Sequence, residues 1–201
     1  MNVILRSISY VFHPLLMPLF GVIYYFLITP RDYPKDIVWA KLVSLSILTV
    51  VLPILLYFLL KTLGLVKSIY LKTTRERIYP LMLNSAVIII VLQRIIPPTQ
   101  VLELYYFFVG ILISTMACLT LALFKFKASI HIIAVSGVFM FFIALSIHFS
   151  LNLNNTLAFM SVLIGAVATS RLHVKAHSLK ELVMGLFIGL LPQLILIPYW
   201  L

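Results

Sequence analysis

The chain has 201 residues, 63% of them hydrophobic and only 10% charged, with a mean hydropathy of +1.17. A water-soluble globular domain is nearer about 45–50% apolar, so the composition excludes that class and points to the membrane. A net charge of +10 in a soluble chain would suggest nucleic acid; here it predicts basic loops facing anionic lipid headgroups or an anionic substrate, with no nucleic-acid partner. Cys118 stands alone within an apolar segment, so no disulfide framework exists.

A spanning helix needs roughly 20 mostly apolar residues. In chain order the candidate stretches are 9–28, 37–60, 79–96, 101–124, 129–150, 156–169 and 181–201, the sixth of them short. The first is followed by others like it, so it reads as a span and not as a removable signal peptide. Proline and charge mark most of the breaks: TPRDYPKD, KTLGLVKSIYLKTTRERIYP, RIIPPTQ, KFK, NLNN and TSRLHVKAHSLK. Pro97 and Pro98 are a sharp stop, because neither continues a helix comfortably. The expectation is one all-α domain over 1–201, a polytopic transmembrane helix bundle of about seven spans, with six as the alternative count.

This count carries a geometric consequence. The polar loops 61–79, 125–129 and 170–180 fall on one membrane face, because two crossings separate each from the next. Three polar loops converging at a bilayer surface have the geometry of an interfacial active site. That face holds eleven of the fifteen basic residues, and the opposite one holds Arg31, Lys35, Lys41 and Arg94. The positive-inside rule would make the richer face cytoplasmic. Four of the eleven are candidate site residues, however, and without them the bias is too weak to assign a side.

The polar stretch before the last span reads SRLHVKAHSLKE from Ser170 to Glu181, that is Ser-Arg-x5-His-x3-Glu. His177 and Glu181 are four apart and would share one face of a helix. The carboxylate would then fix the imidazole tautomer and leave the other ring nitrogen as nucleophile or base. Arg171 supplies a permanent fork of donors suited to phosphate oxygens. Further back, KASIHIIAVSG sets Ser129 and His131 at the start of a span, and KTTRERIYP gathers Lys72, Arg75 and Arg77.

On these residues the chain resembles the type 2 phosphatidic acid phosphatase superfamily, which includes the vanadium haloperoxidases. Ser170, Arg171 and His177 match that family's third motif, Ser-Arg-x5-His-x3-Asp, with Glu181 in place of the aspartate. The second motif, Pro-Ser-Gly-His, is kept at Ser129 and His131 but carries Ala128 and Ile130 in place of Pro and Gly. The first motif, Lys-x6-Arg-Pro, is matched loosely, since Lys67 to Arg75 is one residue too long and the next proline is Pro80. The resemblance covers a phosphatase-like core of about 61–201 and leaves the first two spans outside it.

The resemblance implies a lipid phosphate or pyrophosphate phosphatase working through a phosphohistidine. His177 would attack phosphorus, oriented by Glu181, and His131 would protonate the leaving alcohol. Arg171, Ser129 and Ser170 would hold phosphate oxygens, with Lys72, Arg75 and Arg77 completing a cationic pocket. No cofactor and no metal is called for. Phosphoryl transfer asks mainly for positioning and for positive charge around the equatorial oxygens, which these residue types supply. The substrate would be an amphiphile entering from surrounding membrane lipid, and the protein a multi-pass component of a bacterial inner membrane.

Two other readings fit the same residues. One is a relative that has lost catalysis and binds or moves phospholipid headgroups, as the altered first and second motifs suggest. The other is a metal-dependent hydrolase or transporter using His173, His177 and Glu181, which lie at i, i+4 and i+8. His13 and His148 read as structural, and Tyr24, Tyr25, Tyr105, Tyr106, Tyr199 and Trp200 as an interfacial belt or packing.

Overall fold

A computed structural model describes residues 2–68, 71 and 73–201, residues 2–6 by backbone alone. These form an all-helical bundle with no strand among the described residues. The helices are α1 (Asn2–Val11), α2 (Met17–Ile28), α3 (Lys35–Thr62), α4 (Thr74–Ile95), α5 (Leu102–Leu123), α6 (Ile130–His148), α7 (Asn154–His173) and α8 (Leu179–Leu196), closed by a 3-10 turn at Ile197–Tyr199. The six from α3 onward are long and apolar enough to cross a membrane, compatible with a multi-pass membrane protein.

The first predicted span differs. Pro14 has no N–H to give and disfavours a helical His13, so the 9–28 stretch divides into α1 and α2 around residues 12–16. Pro18 then occupies the first turn of α2, where no N–H is needed. At 12 residues, α2 is about 18 Å long and does not span a bilayer by itself. The chain still passes from end to end of the bundle here, because His13 meets His131 at the start of α6 while Arg31 meets Glu103 at the start of α5. Six helices of spanning length and one composite passage therefore preserve the expected alternation. The described residues between α3 and α4, with the segments 124–129 and 174–178, share one end with His13; Arg31 and Glu103 mark the other.

Two predicted loops are partly helix. Thr73 caps α4, its hydroxyl accepting the Glu76 N–H at 3.3 Å, so Arg75 and Arg77 lie in the first turns of that helix. Likewise α7 continues through Ser170 and Arg171, with basic side chains in its last turn facing the negative end of the helix dipole. The turn that follows carries Lys175 at φ 51°.

Interior prolines are accommodated locally. Pro192 leaves the Ile188 carbonyl without its usual helical donor, and the Ser114 hydroxyl of α5 donates to it at 2.8 Å. Ahead of Pro53, α3 widens into a π turn over Ile47–Val51.

The tightest crossing is between α6 and α8. The sequence GLFIG places Gly185 and Gly189 one turn apart on α8, facing Ser129, Ile133, Ser136 and Gly137. A Cβ on Gly189 would collide with the Ser136 hydroxyl and the Ile133 carbonyl, and one on Gly185 would stand 3.0 Å from the Ser129 carbonyl oxygen. Small residues let the two backbones approach this closely. Beside the crossing, Phe107 of α5 stacks on Phe141 of α6 at 4.2 Å within a core that includes Phe108, Phe142, Leu104 and Leu145.

The opposite end is pinned by Glu103, which is 1% exposed. Its carboxylate takes both arms of the Arg31 guanidinium, at 2.7 and 3.1 Å, and the Tyr25 hydroxyl at 3.2 Å, with His148 Nε2 also 3.1 Å away. A buried charge is stable only when paired and hydrogen-bonded in this way.

Gly189→Ala is expected to lower stability by about 1–3 kcal/mol through overpacking of the α6–α8 crossing. Gly165→Ala, where a Cβ meets nothing within 4 Å, is expected to be neutral or slightly stabilising. Denaturation of both variants in detergent checks the contrast.

Candidate functional site

The end of the bundle that carries the three predicted loops is also where its histidines collect. Ser178 caps α8, accepting the Glu181 N–H, while Glu181 Oε2 accepts the Ser178 N–H at 2.9 Å, a reciprocal capping box. His177 stands just before the cap. Its Nδ1 lies 3.0 Å from the same Glu181 oxygen, with the ring almost wholly enclosed. The pair therefore forms across the start of a helix instead of along one helical face. A carboxylate accepts, so Nδ1 carries the ring proton and Nε2 keeps a free lone pair.

The charge state follows from the surroundings. Burial, then the Arg77 and Lys127 charges, hold His177 down at about 4, against the opposing pull of Glu181. The ring is neutral near pH 7 and its lone pair is available. Lys127 arrives from the α5–α6 turn, its Nζ donating to the Ala176 carbonyl at 2.9 Å. Burial and Arg77 draw its ammonium below the ordinary lysine value. Arg77 reaches over from α4, donating through Nη1 to the Ala128 carbonyl at 2.6 Å and through Nε to Leu71 at 3.1 Å.

The start of α6 is tied to the same spot, because the Ser129 N–H donates to the Glu181 carbonyl at 3.2 Å. Ser129 is fully buried and its hydroxyl has no hydrogen-bond partner. Two residues on, His131 lies within electrostatic reach of Arg171, His13 and His177 and beside the Ser9 backbone. The His13 ring stands edge to face against it at 5.4 Å. Burial and the Arg171 charge hold His13 below its ordinary value. Ser170, buried in the last turn of α7, shares a 2.7 Å hydroxyl–hydroxyl bond with Ser9 of α1.

His177, Glu181, His131, Ser129 and Arg171 thus lie at the same end of the bundle. Arg77 arrives too, but as a brace on backbone carbonyls. Ser170 is turned toward α1, Arg75 is exposed on the first turn of α4, and Lys72 lies outside the described residues. His173 is exposed at the end of α7, and a turn separates it from α8, so the stripe with His177 and Glu181 on one helix does not form. Among the described residues, no three or more His, Cys, Asp or Glu side chains gather as a metal site requires.

The structure adds Lys127, His13 and Ser9. Lys127 precedes Ser129 by two positions, and that proximity was its available signal. His13 and Ser9 lie far from the motifs in sequence, and only the packing of α1 on α7 brings them in.

Comparison with protein-family models, with curated proteins and with solved structures returned no match.

Because folding holds His177 near 4, the unfolded chain binds the extra proton between about 6.5 and about 4. Stability from this group is therefore complete above pH 6.5 and is lost as the pH falls toward 4. Thermal midpoints in detergent are expected to drop across that window, and His177→Gln to drop less.

Proposed function

We propose that this chain is a membrane-embedded phosphatase-like protein acting on a lipid phosphate or pyrophosphate through a phosphohistidine. The observation that carries the reading is the His177–Glu181 pair, a neutral imidazole with Nε2 bare, with the Arg77 and Lys127 charges acting on it and Arg171 acting on neighbouring His131. Such an enclosure suits a phosphoryl group, whose charge is spread over equatorial oxygens as it transfers. The motif resemblance at Ser170, Arg171, His177, Ser129 and His131 supports the same assignment.

In this mechanism His177 Nε2 attacks phosphorus, forming the P–N bond as the bond to the leaving oxygen breaks. Protonated His131 gives its proton to that oxygen. A water molecule then attacks phosphorus, His131 takes the water's proton, and the P–N bond breaks to release phosphate and restore His177. Arg171 and the Ser129 hydroxyl hold the non-bridging oxygens throughout. The cluster lies at one end of helices of membrane-spanning length, level with where a lipid headgroup would sit. An apolar groove of about 370 Å³ beside His13, lined by Val11, Phe12, Leu16, Leu19 and Ile23 among others, suits a hydrocarbon tail.

One observation favours a second reading. Arg77 spends two donors on backbone carbonyls, and the second motif carries Ala128 and Ile130, which suits a relative that binds or moves phospholipid headgroups without turnover.

Purified protein is expected to release phosphate from one member of a lipid phosphate and pyrophosphate panel, with inhibition by vanadate and no loss on chelation. His177→Ala should retain less than about one-thousandth of the rate. Arg171→Ala should lose about a hundredfold or more. Release that survives His177→Ala overturns the enzymatic reading. Lipid-phosphate binding weakened by Arg171→Ala, with no turnover in either protein, establishes the binding-only one.

A further inference from the structure

The two imidazoles at the histidine end are held by different parts of the chain. His177 is oriented by Glu181, its neighbour across the α8 cap. Among the described residues His131 has no carboxylate partner of this kind, although it lies in the first turn of α6. The Ser9 backbone, in the last turns of α1, lies beside its ring. The backbone group there that can accept from a ring N–H is the Ser9 carbonyl. Ser9 is itself buried, and its hydroxyl is fixed by Ser170 at the end of α7. The carbonyl is therefore carried by a helix end that is already anchored.

His13 completes the arrangement. The Leu15 N–H donates to its Nδ1 at 3.3 Å, so the neutral ring carries its proton on Nε2 and is held by its own turn. Pro14 fixes that turn, and the ring packs edge to face on His131 at 5.4 Å. One short segment thus brings a ring against the second histidine and a carbonyl beside it, and is itself anchored by the hydroxyl bond to Ser170.

We infer that the segment Ser9–His13 is the positioning element for His131: the Ser9 carbonyl takes one ring proton and the His13 ring braces the imidazole, leaving its second nitrogen turned to the anion. This rests on the reading of His131 as proton donor and acceptor in phosphoryl transfer. The carbonyl serves both stages, because it accepts the same N–H whether the other nitrogen is protonated or bare. The N-terminal helix, which lies outside the phosphatase-like core drawn from the sequence, becomes part of the site. His13 is a positioning residue here and touches no reacting atom.

The test uses the full-length protein with ¹⁵N-labelled histidine, read by long-range ¹H–¹⁵N correlation. Signals are assigned by single substitutions. In the wild type, His131 is expected as one tautomer, and in His13→Ala as a mixture of two, with the His177 signals unchanged as the check on folding. His13→Phe, which keeps an aromatic brace, should restore the single tautomer. In the phosphate-release assay His13→Ala should lower kcat by about tenfold to a hundredfold with KM little changed, and His13→Phe should recover most of it. A wild-type His131 that already mixes tautomers overturns the inference, as does an unchanged His131 in His13→Ala. Should His13→Ala not fold, the wild-type and His13→Phe spectra still decide. Absence of phosphate release from the wild type defeats the phosphatase reading alone, because the tautomer readout needs no turnover.

Discussion

The approach of α6 to α8 is the constraint on which the other features depend. His131 sits in the first turn of α6 and His177 immediately before the cap of α8, so the separation of these two helices sets the spacing of the two imidazoles. That separation is possible because Gly185, Gly189 and Gly137 put no side chains between the backbones. In an apolar bundle there is little hydrophobic drive to pull helices together within the membrane, and close backbone packing supplies the specificity instead. The Ser136 hydroxyl adds to the seam, donating to the Ile132 carbonyl at 2.7 Å and reaching Leu186 of α8 at 3.4 Å.

The two ends of the bundle handle buried charge in opposite ways. Around Glu103 the account is nearly neutral, with one carboxylate matched by Arg31 and surrounded by Tyr25 and His148. Around His177 the cations outnumber the acids that face them among the described residues: Arg77, Lys127 and Arg171 act on the histidines, and Glu181 opposes. Part of that excess is absorbed by carbonyls at Ala128, Leu71 and Ala176. What remains is a field favouring a bound anion, beside a buried Ser129 hydroxyl that has no acceptor. The first end has the chemistry of a fastening and the second that of a receptacle.

Much of this was legible in the sequence because apolar length and proline positions are local signals. The long helices, the stop at Pro97–Pro98 and the convergence of three polar segments follow from them. Helix ends were less legible. Arg75 and Arg77 read as loop because they are charged, yet the Thr73 cap starts α4 before them; Ser170 and Arg171 were misread in the same way at the other end of α7. The His177–Glu181 pair was found from its spacing, although the reason was a cap and not a continuous helix. His13, Ser9 and Lys127 were out of reach for a different reason. Their roles arise from tertiary contacts spanning 161 residues in the case of Ser9 and Ser170, and no spacing rule encodes such a separation.

The glutamate at 181, where the resembled motif has aspartate, has a consequence for how the His177 ring is held. One carboxylate oxygen, Oε2, receives both the Ser178 amide that closes the first turn of α8 and the His177 ring. The orientation of the imidazole and the integrity of the helix start are therefore a single cooperative event. Whenever the first turn of α8 frays, the ring loses its guide in the same instant, so the imidazole is aimed only as often as that turn is wound.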